Sequence, residues 1–182
     1  GLGHAVLCAR DLVGDEPFAV LLADDLIDAK IPCLRQLLDV FEEKKDSVVA
    51  LMKVPREEVQ RYGVIRGQGL VSRLYAIQDM VEKPAPENAP SQLAIIGRYI
   101  LRPEIFTLLE KVSPGRGGEI QLTDGLSRLV RERKVYGYEF VGNRYDVGDK
   151  LGFVQATVAY ALKRPELREK VRDYLRTVIL EK

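Results

Sequence analysis

Three short stretches of the 182-residue chain bring together side chains able to do chemistry. The first is Asp24-Asp25, which ends the apolar run at 18–22. The second is Glu82-Lys83, in VEKP. The third is NRYDVGDK at 143–150, with Asp146 and Asp149. Carboxylates are hard oxygen donors, and two of them converging from separate segments, Asp24 and Asp146, would grip Mg²⁺ at two points and leave positions for water and substrate phosphates. Lys83 is a compact point charge suited to phosphate, and Glu82 beside it can accept hydrogen bonds from sugar hydroxyls. Each stretch also has a plain structural reading. Asp24 can cap a turn with Asp25 in solvent, and Glu82 and Lys83 can form a surface ion pair worth roughly 0–1 kcal/mol. Asp149 reads as the cap of a following helix, and Gly148 as a place of close backbone approach. His4, the sole histidine, has no serine or cysteine nucleophile motif near it and reads as a helix-start residue. Gly1-Leu2-Gly3 lacks the GxGxxG pattern and follows no visible strand.

Positioning these residues calls for an α/β architecture. Five successive apolar residues at 18–22 predict an interior strand covered on both faces, with Asp24 and Asp25 emerging at the sheet edge where open α/β sheets bind ligands. Pro32 opens a helix whose stripe is Leu34, Leu37, Leu38 and Phe41, and a strand at 47–54 completes a βαβ unit. The segments 63–65 and 70–77 predict a hairpin turning at Gly67-Gln68-Gly69. Further elements follow: a strand at 93–101, a short helix from Pro103 to Leu109, a helix at 122–132, a strand at 135–141, the NRYDVGDK loop, and helices at 151–162 and 165–180. The sheet is expected to be mixed, because strict strand-helix alternation stops after Lys53.

Composition narrows the classes. Lysine and arginine number 28 against 27 aspartates and glutamates, and that +1 balance offers no surface for nucleic acid. With 46% hydrophobic residues, the chain is expected to fold around one substantial core. Cys8 and Cys33 belong to no CxxC pair and are expected as buried thiols, not a disulfide or zinc site. No apolar stretch is long enough to span a bilayer and no signal-peptide pattern opens the chain, so a soluble cytoplasmic protein without membrane contact is expected. The chain opens on Gly1 without a leading strand, which predicts further residues before it.

The blocks GLGHAV, LLADD, RYGVI, VEKP, GEIQLTD and RYDVGDKLGF, in this order, resemble the bacterial UTP–glucose-1-phosphate uridylyltransferase (UDP-glucose pyrophosphorylase) family nearly end to end. That resemblance implies a Rossmann-like nucleotide-diphospho-sugar transferase fold, α/β with a mixed central sheet and flanking helices. It makes residues 1–182 the latter part of one nucleotidyltransferase domain, with a sugar-binding hairpin region at 63–101 and C-terminal helices at 151–180. The family's N-terminal Gly-rich signature and its Lys-containing Met-Leu-Pro segment are absent here, and Ala23 replaces the proline common before the paired acids. The implied reaction joins UTP and glucose 1-phosphate into UDP-glucose and pyrophosphate with Mg²⁺ as cofactor. By the resemblance, Asp24 and Asp146 are metal ligands, Lys83 binds the sugar phosphate and Glu82 accepts glucose hydroxyls. Gly63 meets the sugar through its backbone, and Gly3 packs near the uracil. A homo-oligomer is implied as well, and the 182-residue stretch alone is expected to be inactive. A thymidylyltransferase acting on the same sugar phosphate is the alternative enzyme. A nucleotide-sugar-binding module without turnover is the alternative outside catalysis.

Overall fold

The structure, a computed structural model, describes residues 1–180. In chain order its elements are α1 (Leu2–Cys8), α2 (Arg10–Val13), β1 (Phe18–Leu21), β2 (Asp25–Asp28), α3 (Cys33–Lys44), β3 (Ser47–Lys53), β4 (Gly63–Val71), β5 (Leu74–Glu82), β6 (Leu93–Leu101), α4 (Glu104–Glu110), α5 (Leu122–Glu132), β7 (Val135–Glu139), β8 (Asn143–Asp146), α6 (Lys150–Lys163) and α7 (Pro165–Leu180), with 3₁₀ turns at Arg56–Arg61, Pro86–Asn88 and Arg116–Gly118. They fall into two compact units. One is Gly1–Leu22 with Ile31–Val141; the other is Ala23–Lys30 with the described residues from Gly142 onward.

The first unit is built on a six-stranded mixed sheet in the order β1-β6-β3-β7-β5-β4, with β4 also touching β6 at Val64 and Ala94. Among the described residues only β3 and β7 run parallel; the other pairs of this sheet are antiparallel. Ser47 through Leu51 are all buried, so the strand covered on both faces is β3, not the 18–22 run. In β1 burial alternates. Phe18 and Val20 turn inward, and Phe18 stacks on Phe106 with ring centroids 4.9 Å apart, while Leu21 is 52% exposed. Among the described residues β1 pairs with β6 alone, and an apolar run does not by itself report a second layer of cover. β1 and β3 are each antiparallel to β6, so they run the same way with β6 between them, and the strand-helix-strand unit is split by a later strand.

Leu122, Leu126 and Leu129 of α5 and Ile105, Phe106 and Leu109 of α4 pack with Val49, Leu51, Ile65 and Ile77 of the sheet. Burying such a side chain stabilises the fold by about 1.5–3 kcal/mol. The β4–β5 hairpin turns at Ser72-Arg73, where Arg73 has φ of 65°, not at the glycines. Gly67 and Gly69 lie instead beside register shifts of the ladder, which glycine tolerates because it has no side chain to misplace. α3 begins at Cys33 after Pro32 and buries Cys33, Gln36, Leu37 and Val40. The Gln36 amide donates to the carbonyls of Ile31 and Val141 and accepts from the Val141 N–H, fastening the segments by which the chain re-enters and leaves this unit. Cys33 is buried as expected, whereas Cys8 is exposed; neither is in a disulfide among the described residues. The N-terminal helical segment is divided into α1 and α2, and Leu12 of α2 is exposed.

The second unit pairs β2 with β8 in an antiparallel ribbon that sets Asp25 opposite Asp146 and Ile27 opposite Arg144. The first half of NRYDVGDK is thus a strand, not a loop. Asp149 caps α6, accepting from the N–H groups of Leu151 at 3.1 Å and Gly152 at 3.2 Å. A Cβ on Gly152 would sit 1.9 Å from the Asp146 carbonyl oxygen, so only glycine lets the first turn of α6 lie against the end of β8. α7 buries none of its described side chains within the chain. No helix among the described residues is long and apolar enough to cross a membrane.

Candidate functional site

The side chains singled out in the sequence gather in two clusters, one in each unit. In the first unit, Gly63 opens β4 directly opposite Glu82, the last residue of β5. Glu82 divides its oxygens. Oε2 accepts the Thr123 hydroxyl at 2.7 Å, and Oε1 lies 3.5 Å from the Lys83 ammonium. Thr123 comes from the first turn of α5, and a Cβ on Gly63 would meet its Oγ1 at 2.8 Å and Glu82 Oε2 at 3.2 Å, so bare backbone at 63 is a condition of this arrangement. Lys83 continues the hairpin by one bond, its N–H donating to the Tyr62 carbonyl at 2.9 Å, and then takes φ of 46°. A left-handed backbone at a lysine is strained and holds only where its surroundings fix it.

Asp124, next to Thr123, is pushed above the usual carboxylate range by burial and then by the negative charge of Glu82, with Arg128 opposing. It lines a cleft of about 300 Å³ with Val112, Ser113, Ser127, Arg128 and Arg131. Gly3 is buried against the segment leading into α5, its N–H donating to the Ile120 carbonyl at 2.9 Å.

In the second unit, a Cβ on Gly148 would lie 3.3 Å from Asp146 Oδ1 and 3.4 Å from Asp24 Oδ2, so both carboxylates border one small volume. The Asp24 carbonyl accepts the Val147 N–H at 2.8 Å, which fixes the two segments side by side. Asp25 is buried and not in solvent, because it is ion-paired with Arg144. Arg144 also reaches Asp146 Oδ2 at 3.2 Å. Among the described residues no three acidic, histidine or cysteine side chains group closely enough to hold a metal by themselves. Two carboxylates are nonetheless the usual protein share of a Mg²⁺ site that is completed by water and substrate phosphates.

Thr123 and Arg144 received no role from the sequence. Thr123 lies within GEIQLTD, where nothing marks its hydroxyl as facing a residue 41 positions away. Arg144 could have been found: once 143–146 is a strand, residues 144 and 146 share a face.

A profile described as nucleotidyl transferase matches residues 1–163. The chain belongs to the nucleotidyl transferase family. Among curated relatives, this nucleotidyl transferase chain is 52% identical over 180 residues to a UTP–glucose-1-phosphate uridylyltransferase of Streptococcus pneumoniae, which covers 96% of the chain and 60% of the relative. Among solved structures it is similar to a UDP-glucose pyrophosphorylase complexed with UDP-glucose, at 48% identity and a TM-score of 0.87 over 90% of this chain and 63% of that one. It is also similar to a UTP-bound UGPase from Acinetobacter baumannii, at 35% identity and a TM-score of 0.83 over 100% of this chain and 62% of that one. The nucleotidyl transferase chain therefore spans about three fifths of the length of the curated relatives it matches.

Proposed function

We propose that the protein to which these residues belong makes UDP-glucose and pyrophosphate from UTP and glucose 1-phosphate, with Mg²⁺ as cofactor. The observation that carries this reading is the approach of Asp24 and Asp146 to one volume beside Gly148, a two-carboxylate donor set suited to a hard cation shared with phosphates. The relatives that carry the uridylyltransferase name at about half identity favour uracil over thymine.

Each cluster has its own task. Glucose 1-phosphate brings an oxygen that is nucleophilic near neutral pH, so no side chain has to be activated as a nucleophile. The protein's share is to align the attack on the α-phosphorus and to balance the charge of the phosphates. Lys83 pairs with the phosphate of the sugar, and Glu82, held by Thr123, accepts from glucose hydroxyls while the bare backbone of Gly63 admits the ring. Gly3 packs near the uracil. Asp24 and Asp146 hold Mg²⁺. When bound there, the ion neutralises charge on the nucleotide phosphates and on the departing pyrophosphate.

The test is pyrophosphate release by the full-length protein given glucose 1-phosphate, Mg²⁺ and either UTP or dTTP. Turnover with UTP is expected, together with a 10- to 100-fold lower rate for Lys83→Ala, the loss of about one charge-assisted hydrogen bond in the transition state. Turnover with dTTP alone would make it a thymidylyltransferase. Tight UDP-glucose binding without turnover would make it a binding module.

A further inference from the structure

We propose that Asp25, the second acid of the pair, is not a cation ligand but the counter-charge to Arg144, and that the two together hold Asp146 by Oδ2 while its Oδ1 faces the cation. The inference rests on the proposed cation grip of Asp24 and Asp146. Asp25 and Asp146 stand directly opposite each other in the β2–β8 ribbon, an arrangement that repels when both are charged and nothing intervenes. Arg144, two residues before Asp146, lies on the same face of β8. Its Nε donates to Asp25 Oδ1 and its Nη2 lies 3.2 Å from Asp146 Oδ2, so one planar fork serves both acids. The Arg144 and Asp25 side chains are only 9% and 7% exposed, against 25% for Asp146.

The two oxygens of Asp146 therefore have different surroundings. Oδ2 faces the guanidinium, and Oδ1 borders the volume beside Gly148 that Asp24 Oδ2 also borders. Charge balance depends on Asp25. With Asp25 present the guanidinium is balanced where it is buried; with Asp25 uncharged, more of the Arg144 charge acts on Asp146 and opposes any cation arriving at Oδ1. Asp25 and Arg144 are positioning residues, and partners of this kind behind a metal ligand change metal affinity by about 10- to 100-fold.

The experiment is an electron paramagnetic resonance titration of the full-length protein with Mn²⁺ alone, alongside thermal melts in a chelator. Asp25→Asn is expected to weaken Mn²⁺ binding about 10- to 100-fold. The double variant Asp25→Asn with Arg144→Gln, which removes both charges, should bind Mn²⁺ more tightly than Asp25→Asn alone, because no uncompensated guanidinium then opposes the cation, and more weakly than wild type, because the hold on Asp146 Oδ2 is loosened. An Asp25→Asn protein that melts earlier yet keeps the wild-type dissociation constant would overturn the inference by reducing Asp25 to a structural role. If Asp25→Asn does not fold, the double variant decides: a loss as large as that of Asp146→Asn would make Asp25 a third ligand. Unchanged Mn²⁺ binding in Asp146→Asn sinks the underlying cation reading itself, and so separates that failure from failure of the inference.

Discussion

Glu82 depends on a neighbour distant in sequence. Its Oε2 accepts the Thr123 hydroxyl at 2.7 Å, and Thr123 is buried, so removing the hydroxyl leaves the carboxylate short of a partner without opening a large cavity. Thr123→Val in the full-length protein should cost about 1–3 kcal/mol of sugar-dependent stabilisation. The loss should appear as a raised KM for glucose 1-phosphate with the KM for UTP unchanged; steady-state kinetics with each substrate varied checks it. The surroundings of Asp124 set the sign of a pH dependence. Burial and then Glu82 raise its folded value, so the native state keeps this proton to higher pH than the unfolded chain does. The stability linked to that proton is fully present below the ordinary carboxylate value of about 3.9 and is lost as pH rises through the raised folded value. Asp124→Asn should therefore melt higher than wild type above this window and converge with it below, in thermal melts run as a pH series.

Among elements, the β2–β8 ribbon with α6 sets the geometry around Asp146. The helix can start there because Asp149 satisfies two of its leading N–H groups and because Gly152 leaves room for the Asp146 carbonyl oxygen. With 1.9 Å between a Cβ at 152 and that oxygen, Gly152→Ala must push helix and strand apart. It should destabilise the fold by about 1–3 kcal/mol, as overpacking does, and lower Mn²⁺ affinity with it. Denaturant melts and the Mn²⁺ titration together check this, and an unchanged affinity would detach the α6 contact from the position of Asp146. The strand character of 143–146 escaped the sequence reading because NRYD is polar and lacks apolar alternation; its strand geometry comes from pairing with DLID of β2, more than a hundred residues earlier.

At the level of the whole molecule, the chain matches about three fifths of its curated relatives, and β1, with Leu21 exposed, pairs among the described residues with β6 alone. Phosphoryl chemistry requires all charge-bearing groups in one preorganised setting. The 182 residues by themselves are therefore expected to release no pyrophosphate above background from UTP, glucose 1-phosphate and Mg²⁺. A coupled assay on protein of that mass is the check, and steady turnover would refute the expectation. α7 exposes Tyr174, Val178 and Ile179 and buries nothing of its own in the chain. A homo-oligomer would give that face cover, so light scattering on the full-length protein should show a mass above the monomer, with Tyr174→Glu reducing it.

The sequence by itself determined the local terms. Helices at 122–132 and 165–180 and the strand at 93–101 lie where periodicity placed them, because side-chain pattern and turn chemistry act over a few residues. Asp149 caps α6 for the same reason. Which strand receives cover on both faces was decided only by the fold. The runs at 18–21 and 47–53 are both apolar, but β3 packs Val49 and Leu51 into the core with side chains of α4 and α5 and has α3 against it as well, whereas β1 alternates half-buried and exposed positions. The partners of the acids were decided in the same way. Asp25 is paired and buried, not solvated, because strand pairing brings Arg144 across from 119 residues away, and no local pattern encodes a contact of that range.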